Sequence, residues 1–311
     1  MFLFIEKEVL DLEKDMKVDR KREVFEKIWH GVFLAAALFA VLSVVLIFAF
    51  IFGRGMQPFI PGNAEGNANL FRFLTGLTWR PAFGEFGIGY MIINSLLATL
   101  GAVILGVPVA ILTAIFIAEV APKPLAAIIQ PTVELLAAIP SVLYGVFGFA
   151  VIAPAVREIS PYPTGDSLLS VILILSIMIL PTIVSVVATA IKAVPPSYKE
   201  GSLALGASRF QTIFKVTLPA AKSGILTGVI LGIGRAIGET MAVILVAGNP
   251  EGGIPTTIFD RVRLLTTNIV LEMAYASGLH LQMLFSTAII LLLFIVIINL
   301  VLTRIQRKAG E

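Results

Sequence analysis

Cysteine is absent from the 311 residues, which excludes a disulfide framework and any thiolate metal centre. Charge is scarce: Asp, Glu, Lys and Arg make up 14% of the chain, against about 25% in an ordinary soluble domain. Histidine occurs only as His30 and His280, and neither has a second metal-type ligand at helical spacing. No glycine is followed by lysine, so the phosphate-cradling GxxxxGK[ST] loop is missing, and GxSxG, HExxH and CxxC are missing too. We therefore expect no metal site, no bound cofactor and no catalytic residues. If nucleotide hydrolysis powers this protein, another chain supplies it.

What is abundant is apolar sequence, 58% of all residues. A hydrocarbon core of about 30 Å needs about 20 apolar residues in a helix. Residues 31–52, 90–118, 168–191 and 281–303 qualify without a charge; 125–156 qualifies apart from Glu134, and 224–247 apart from Arg235 and Glu239. Six helical spans follow, because backbone groups in lipid must be satisfied within the segment. With both termini on one side, that side holds sixteen of the 23 Lys and Arg residues, which places both termini in the cytoplasm. Residues 1–30 carry eight acids and seven bases. That is too charged for a signal peptide and too balanced for nucleic-acid binding, and it fits a cytoplasmic or interfacial amphipathic helix. The first outward loop, 54–89, is aromatic at Phe71, Phe73, Trp79, Phe83 and Phe86. It reads as an interfacial helix, or as a platform for an extracytoplasmic partner.

Two stretches carry more than a span requires. In 194–221, prolines bracket Ser197-x-x-Glu200 and Ser208-x-x-Gln211, both capping-box patterns, with Gly206 between them as a helix stop. Two short capped helices are expected there, displaying Lys199, Arg209, Lys215 and Lys222 on the cytoplasmic side. In the fifth span, Gly224, Gly228, Gly232, Arg235 and Glu239 fall on one helical face. Glycines four apart let another helix approach closely. Arg235 and Glu239 extend that ridge, so they should face protein or water rather than lipid. A plain i,i+4 ion pair explains them weakly, since Arg before Glu is the poorer order. A guanidinium that stays ionised and offers paired donors suits a tetrahedral oxyanion in transit. Glu239 would hold that guanidinium oriented, and Thr240 would add a hydroxyl. Glu134, three residues after Pro131, is expected in the first turn of its helix, a structural position. His30 and His280 are expected as interfacial side chains. From Pro219 to Arg235 is 16 residues, roughly 24 Å of continuous helix, so a push on the polar loop would reach the charged site.

The polar loop also carries a resemblance. Glu200-Gly201-Ser202, then Gly206, then Val216-x-Leu218-Pro219 resembles the EAA loop of permease subunits of binding-protein-dependent ABC importers, EAA-x3-G-x9-I-x-LP. The spacing is kept; Gly201, Ser202 and Val216 depart from the usual residues. Ile139-Pro-Ser-Val-Leu-Tyr-Gly145 and Gly234-Arg-Ala-Ile-Gly-Glu-Thr-Met-Ala242 resemble the phosphate-specific permeases, nearer the PstC type than its PstA-type partner. The likeness covers about residues 25–305. It implies an all-α type I importer (MetI-like) fold: a segment 1–30, a six-helix permease domain 31–303 with its coupling loop at 195–220, and a cytoplasmic tail 304–311. It also implies a second permease of PstA type, a PstB-type ATPase dimer using ATP and Mg, and a PstS-type extracytoplasmic phosphate-binding protein. In that family the positions matching Arg235 and Glu239 matter for phosphate passage. A permease for sulfate, molybdate or phosphonate would use the same Arg. A non-transporting scaffold or sensor subunit accounts for the loop but not for charges on a glycine ridge. A membrane-embedded enzyme would need a nucleophile–base pair or a metal site, and the sequence has neither pattern.

Overall fold

A computed structural model describes residues 2–310, with side chains over 22–307. The chain divides into two compact units, Met1–Gly53 and Arg54–Glu311. Helix α1 (Phe2–Gly55) makes up the first and continues across residue 30 without a break. None of its side chains from 22 to 53 is buried. The amphipathic face expected for 1–30 falls partly on 1–21, outside the described side chains, as do 308–311 of the tail.

The second unit is organised around α7 (Leu168–Lys192), whose Val171, Ile174, Leu175, Ile179, Ile183, Val187 and Ile191 are fully buried. Helix α3 (Gly89–Ile115) lies along it and ends in a π-turn, Phe116–Val120. The contact is close because Ala98, Ala102, Gly106, Ala110 and Ala114 repeat every fourth residue, which puts small side chains along one face. A Cβ at Gly106 would stand 2.8 Å from Ile179 Cδ1. On α7's other flank runs α11 (Lys222–Gly238), through its glycine face.

Two expected spans are discontinuous. The 125–156 run is α4 (Lys123–Ala138), then α5 (Ser141–Phe147), a π-turn and α6 (Ala153–Ile159). Pro140 has no N–H to continue α4, and the freed carbonyl of Leu136 accepts the Tyr144 hydroxyl at 2.8 Å. Glu134 is therefore not in a first turn. Pro131 sits inside α4, and Gln130 Nε2 donates to Glu134 Oε1 at 3.2 Å. The 224–247 run likewise stops at Gly238 and restarts as α12 (Met241–Ile244). Among the described residues, five helices are long and apolar enough to cross a membrane on their own. A sixth is reached only if the bent pair Arg209–Ala220 and Lys222–Gly238 counts as one span.

Residues 54–89 and 248–280 fold together rather than lying as one helix. Helix α2 (Leu70–Thr75) and a two-stranded hairpin, β1 (Trp79–Arg80) with β2 (Glu85–Phe86), join α13 (Leu265–Met273) and the start of α14 (Gly278–Gly310). Their core is Phe73, Trp79, Ile88, Tyr90, Met91, Leu265, Met283 and Leu284. The loop aromatics divide: Phe73 and Trp79 are buried, Phe71 and Phe83 exposed. Trp79 N donates to Glu251 O at 2.7 Å, tying the hairpin to the 248–264 loop.

Candidate functional site

At the far end of α7, Pro195 and Pro196 set the start of α8 (Pro196–Ala204). Proline at the first helical position moves the start ahead of Ser197, so the Ser197–Glu200 box does not form. Gly206 has φ +82°, the left-handed conformation that ends a helix on glycine. The second box is present: Gln211 N donates to Ser208 Oγ at 3.2 Å, and Ser208 N to Gln211 Oε1 at 2.9 Å. It opens α9 (Arg209–Thr212), followed by a π-turn over Ile213–Thr217 and α10 (Leu218–Ala220). Glu200, Gly201 and Pro219 are exposed, Leu218 packs on the core, and Ser202 shares a 3.0 Å hydrogen bond with Thr212.

The stretch from Pro219 to Arg235 is not one straight helix. Arg209–Ala220 meets α11 at a 70° bend around Ala221. From Lys222 to Arg235 the straight part rises roughly 20 Å. Along it, a Cβ at Gly224 would lie 2.3 Å from Ala190 Cβ, at Gly228 2.9 Å from Val187 Cγ2, and at Gly232 2.6 Å from Ile183 Cδ1. The helix these glycines admit is therefore α7 of the same chain.

Arg235 is half-buried near the end of α11, and its Nη1 donates to Thr182 Oγ1 of α7 at 2.8 Å. Glu239 does not continue the ridge. It lies past the helix end with extended backbone, φ −72° and ψ 134°. Its Oε1 accepts from Ala242 N at 3.0 Å, and its carbonyl accepts from Thr266 Oγ1 at 3.0 Å. Among the described residues no ion pair joins Arg235 to Glu239. Glu239 thus satisfies the restart of the chain as α12, not the guanidinium. Thr240 sits in the same break, its hydroxyl 3.4 Å from Gly238 O. The break packs against the one at 139–140: a Cβ at Gly145 would meet Ala242 Cα and Met241 O at 2.9 Å. Two interrupted helices therefore meet just past their breaks, and Arg235 precedes the second break by four residues. Irregular backbone at membrane depth is tolerated where it is enclosed by protein or lines a water-filled path.

A second polar centre lies in the hairpin lobe. Glu272, buried on α13, accepts from Arg263 Nη2 at 2.6 Å and Trp79 Nε1 at 2.9 Å, and its Oε2 lies 2.7 Å from His280 Nε2. His280 is therefore a packed partner in a network, not an interfacial side chain. Nearby, Asp260 closes its own loop. The hydrogen bond from Thr257 N–H, with those from Tyr162 and Thr256, outweighs desolvation and holds its carboxyl well below the usual range. Tyr162, Thr164, Pro250, Ile254, Asp260 and Arg261 line a cavity of about 370 Å³ there.

Residues 106–310 match the family described as binding-protein-dependent transport system inner membrane component. The "Probable ABC transporter permease protein YqgH" of Bacillus subtilis is 38% identical over 83% of this chain and 82% of its own length. The phosphate transport system permease protein PstC of Pasteurella multocida is 33% identical over 78% and 82%. Among solved structures, a bacterial ABC transporter involved in import of the acidic polysaccharide alginate aligns over 92% of this chain and 100% of its own, with a TM-score of 0.60. At 20% identity that likeness speaks for the fold alone.

Proposed function

The chain belongs to the family of binding-protein-dependent transport system inner membrane components, and from that premise we propose that it is a permease subunit carrying inorganic phosphate through the cytoplasmic membrane. The relatives named for phosphate transport support the solute. The observation that carries the pathway is Arg235: a permanent cation, held among the described residues by a neutral hydroxyl rather than a carboxylate. A guanidinium whose charge no acid neutralises lowers the barrier for an oxyanion and can offer it two donors at once.

In this reading both termini and the 195–220 segment are cytoplasmic, and the hairpin lobe is outside. A loaded PstS-type binding protein delivers phosphate at the lobe. A PstA-type permease supplies the other half of the path. A PstB-type ATPase dimer, using ATP and Mg, acts on α8 through the loop that holds Glu200, Gly201, Ser202 and Gly206; this chain performs no catalysis. Arg235, with Thr240 and the Glu239 break, forms this subunit's share of the path. The glycine face of α11 keeps that helix against α7 as the bundle opens to one side and then the other.

The test is radiolabelled phosphate uptake into proteoliposomes holding all partners, competed with arsenate and sulfate. Arsenate should compete and sulfate should not; equal competition by sulfate would reassign the solute to oxyanions in general. Arg235→Ala should cut uptake at least about a hundredfold, the cost of about 2.7 kcal/mol of lost charge-assisted bonding, with the complex still assembled. Uptake at the unaltered rate would remove Arg235 from the path.

A further inference from the structure

Helix α8 contributes no buried residue. It is nonetheless fastened to a span. Lys199 Nζ lies 2.5 Å from Glu119 Oε1, with side-chain exposures of 28% and 12%. Among the described residues this is the one ion pair joining the 195–220 segment to a membrane-spanning helix. Glu119 is not on a loose loop. It lies in the π-turn that ends α3, fixed by the Ala121 N to Phe116 O hydrogen bond of 2.7 Å. Its neighbour Ile117 is buried in the core that also holds Ile191, Val194 and Ala221. A mostly buried carboxylate is retained at a cost unless it is paired, and α3 is packed along α7 through its small-residue stripe.

We propose, on the basis of the transport reading above, that Glu119 is a positioning residue for coupling: its pair with Lys199 is the strut through which α8 moves α3. Without the strut, displacement of α8 reaches the path through chain connections alone: residues 193–195 back into α7, and the 70° bend at Ala221 into α11. With it, α3, which has no chain connection to α8, is driven as well, through the ion pair. The rigid α3–α7 contact then carries the motion to the helix that holds Thr182, the Arg235 partner.

The test uses the complete reconstituted complex and three variants: Glu119→Gln, Lys199→Met, and the exchange Glu119→Lys with Lys199→Glu. Two ratios are read: phosphate taken up per ATP hydrolysed, and ATP hydrolysis with loaded binding protein over hydrolysis without it. Each single variant should lower both ratios about tenfold, a coupling loss of ordinary size for linked sites, while the ATPase still co-purifies and basal hydrolysis persists. The exchanged pair should regain at least half. Unaltered ratios in the single variants, loss of ATPase co-purification in them, or no recovery in the exchange would overturn the strut. A wild-type complex that takes up no phosphate would overturn the solute instead. The stimulation ratio uses no label and would still score the strut, with the binding protein loaded by its own solute.

Discussion

In the hairpin lobe the one buried acid, Glu272, has three partners drawn from a strand, a loop and the start of α14. In the 195–220 segment the corresponding acid, Glu200, is exposed on a helix without a buried residue. The first region has its own core and a buried ion-pair network, so its shape rests on contacts within the lobe. The second has caps, glycine geometry and a single ion pair, with Ile213 and Leu218 packed on the core and Leu205 91% and Phe210 69% exposed. Exposed apolar tips do not separate the two, since Phe71 and Phe83 of the lobe are as open. The difference teaches that the lobe is held by a core and a buried charge network of its own, while the 195–220 segment is held by local caps and by its attachments to the spans.

The strongest way to break that comparison is Glu272→Ala. It leaves Arg263 buried without its carboxylate, and removing one member of a buried pair costs about 3–5 kcal/mol. Hydrogen exchange in detergent should show faster opening across 73–91 and 263–284, with the 195–220 amides unaffected. Unaltered protection in the lobe would mean that its apolar core alone holds it. Glu272→Gln keeps an acceptor for Trp79 and should cost less.

Between the two ends, Gly228→Leu sharpens the comparison. Its Cβ alone would already stand 2.9 Å from Val187 Cγ2, and overpacking of this kind costs about 1–3 kcal/mol. The α11–α7 contact links bend to guanidinium, so thermal unfolding should fall modestly while uptake falls further. Equal losses in both would mean that the ridge serves stability only.

The features legible in the sequence are those set by a few neighbouring residues. The Ser208 box and the Gly206 stop are decided within four positions, and both form as written. The Ser197 box is equally local but loses to Pro195-Pro196, which starts the helix earlier. Apolar length marks the spans, yet it is blind to interruptions inside them. The break after Ile139 had a visible signal in Pro140; the one at Glu239 had none stronger than its glycines. The stripe from Ala98 to Ala114 is plain at every fourth residue but is hidden by uniformly apolar surroundings. Glu272 was out of reach altogether, because Trp79 lies 193 positions away and no spacing rule spans that distance.

The smallest expected effect is the most discriminating about the 195–220 end. Ser208→Ala removes the hydroxyl that accepts from Gln211 N, worth about 1 kcal/mol at a helix N-terminus. In the isolated subunit, trypsin should cut faster at Arg209 and Lys215, because the second short helix opens more often; cleavage elsewhere should not change. In the assembled complex that increase should disappear. A partner that binds only the closed segment stabilises it by mass action, and at a hundred times its dissociation constant this amounts to about 2.7 kcal/mol, more than the lost cap. Glu272→Ala should show no such rescue by the ATPase, since in the proposed topology the lobe lies at the opposite end of the spans. Faster cleavage that persists in the complex would mean that the segment is not what the partner covers, and the two ends would then differ in stability alone.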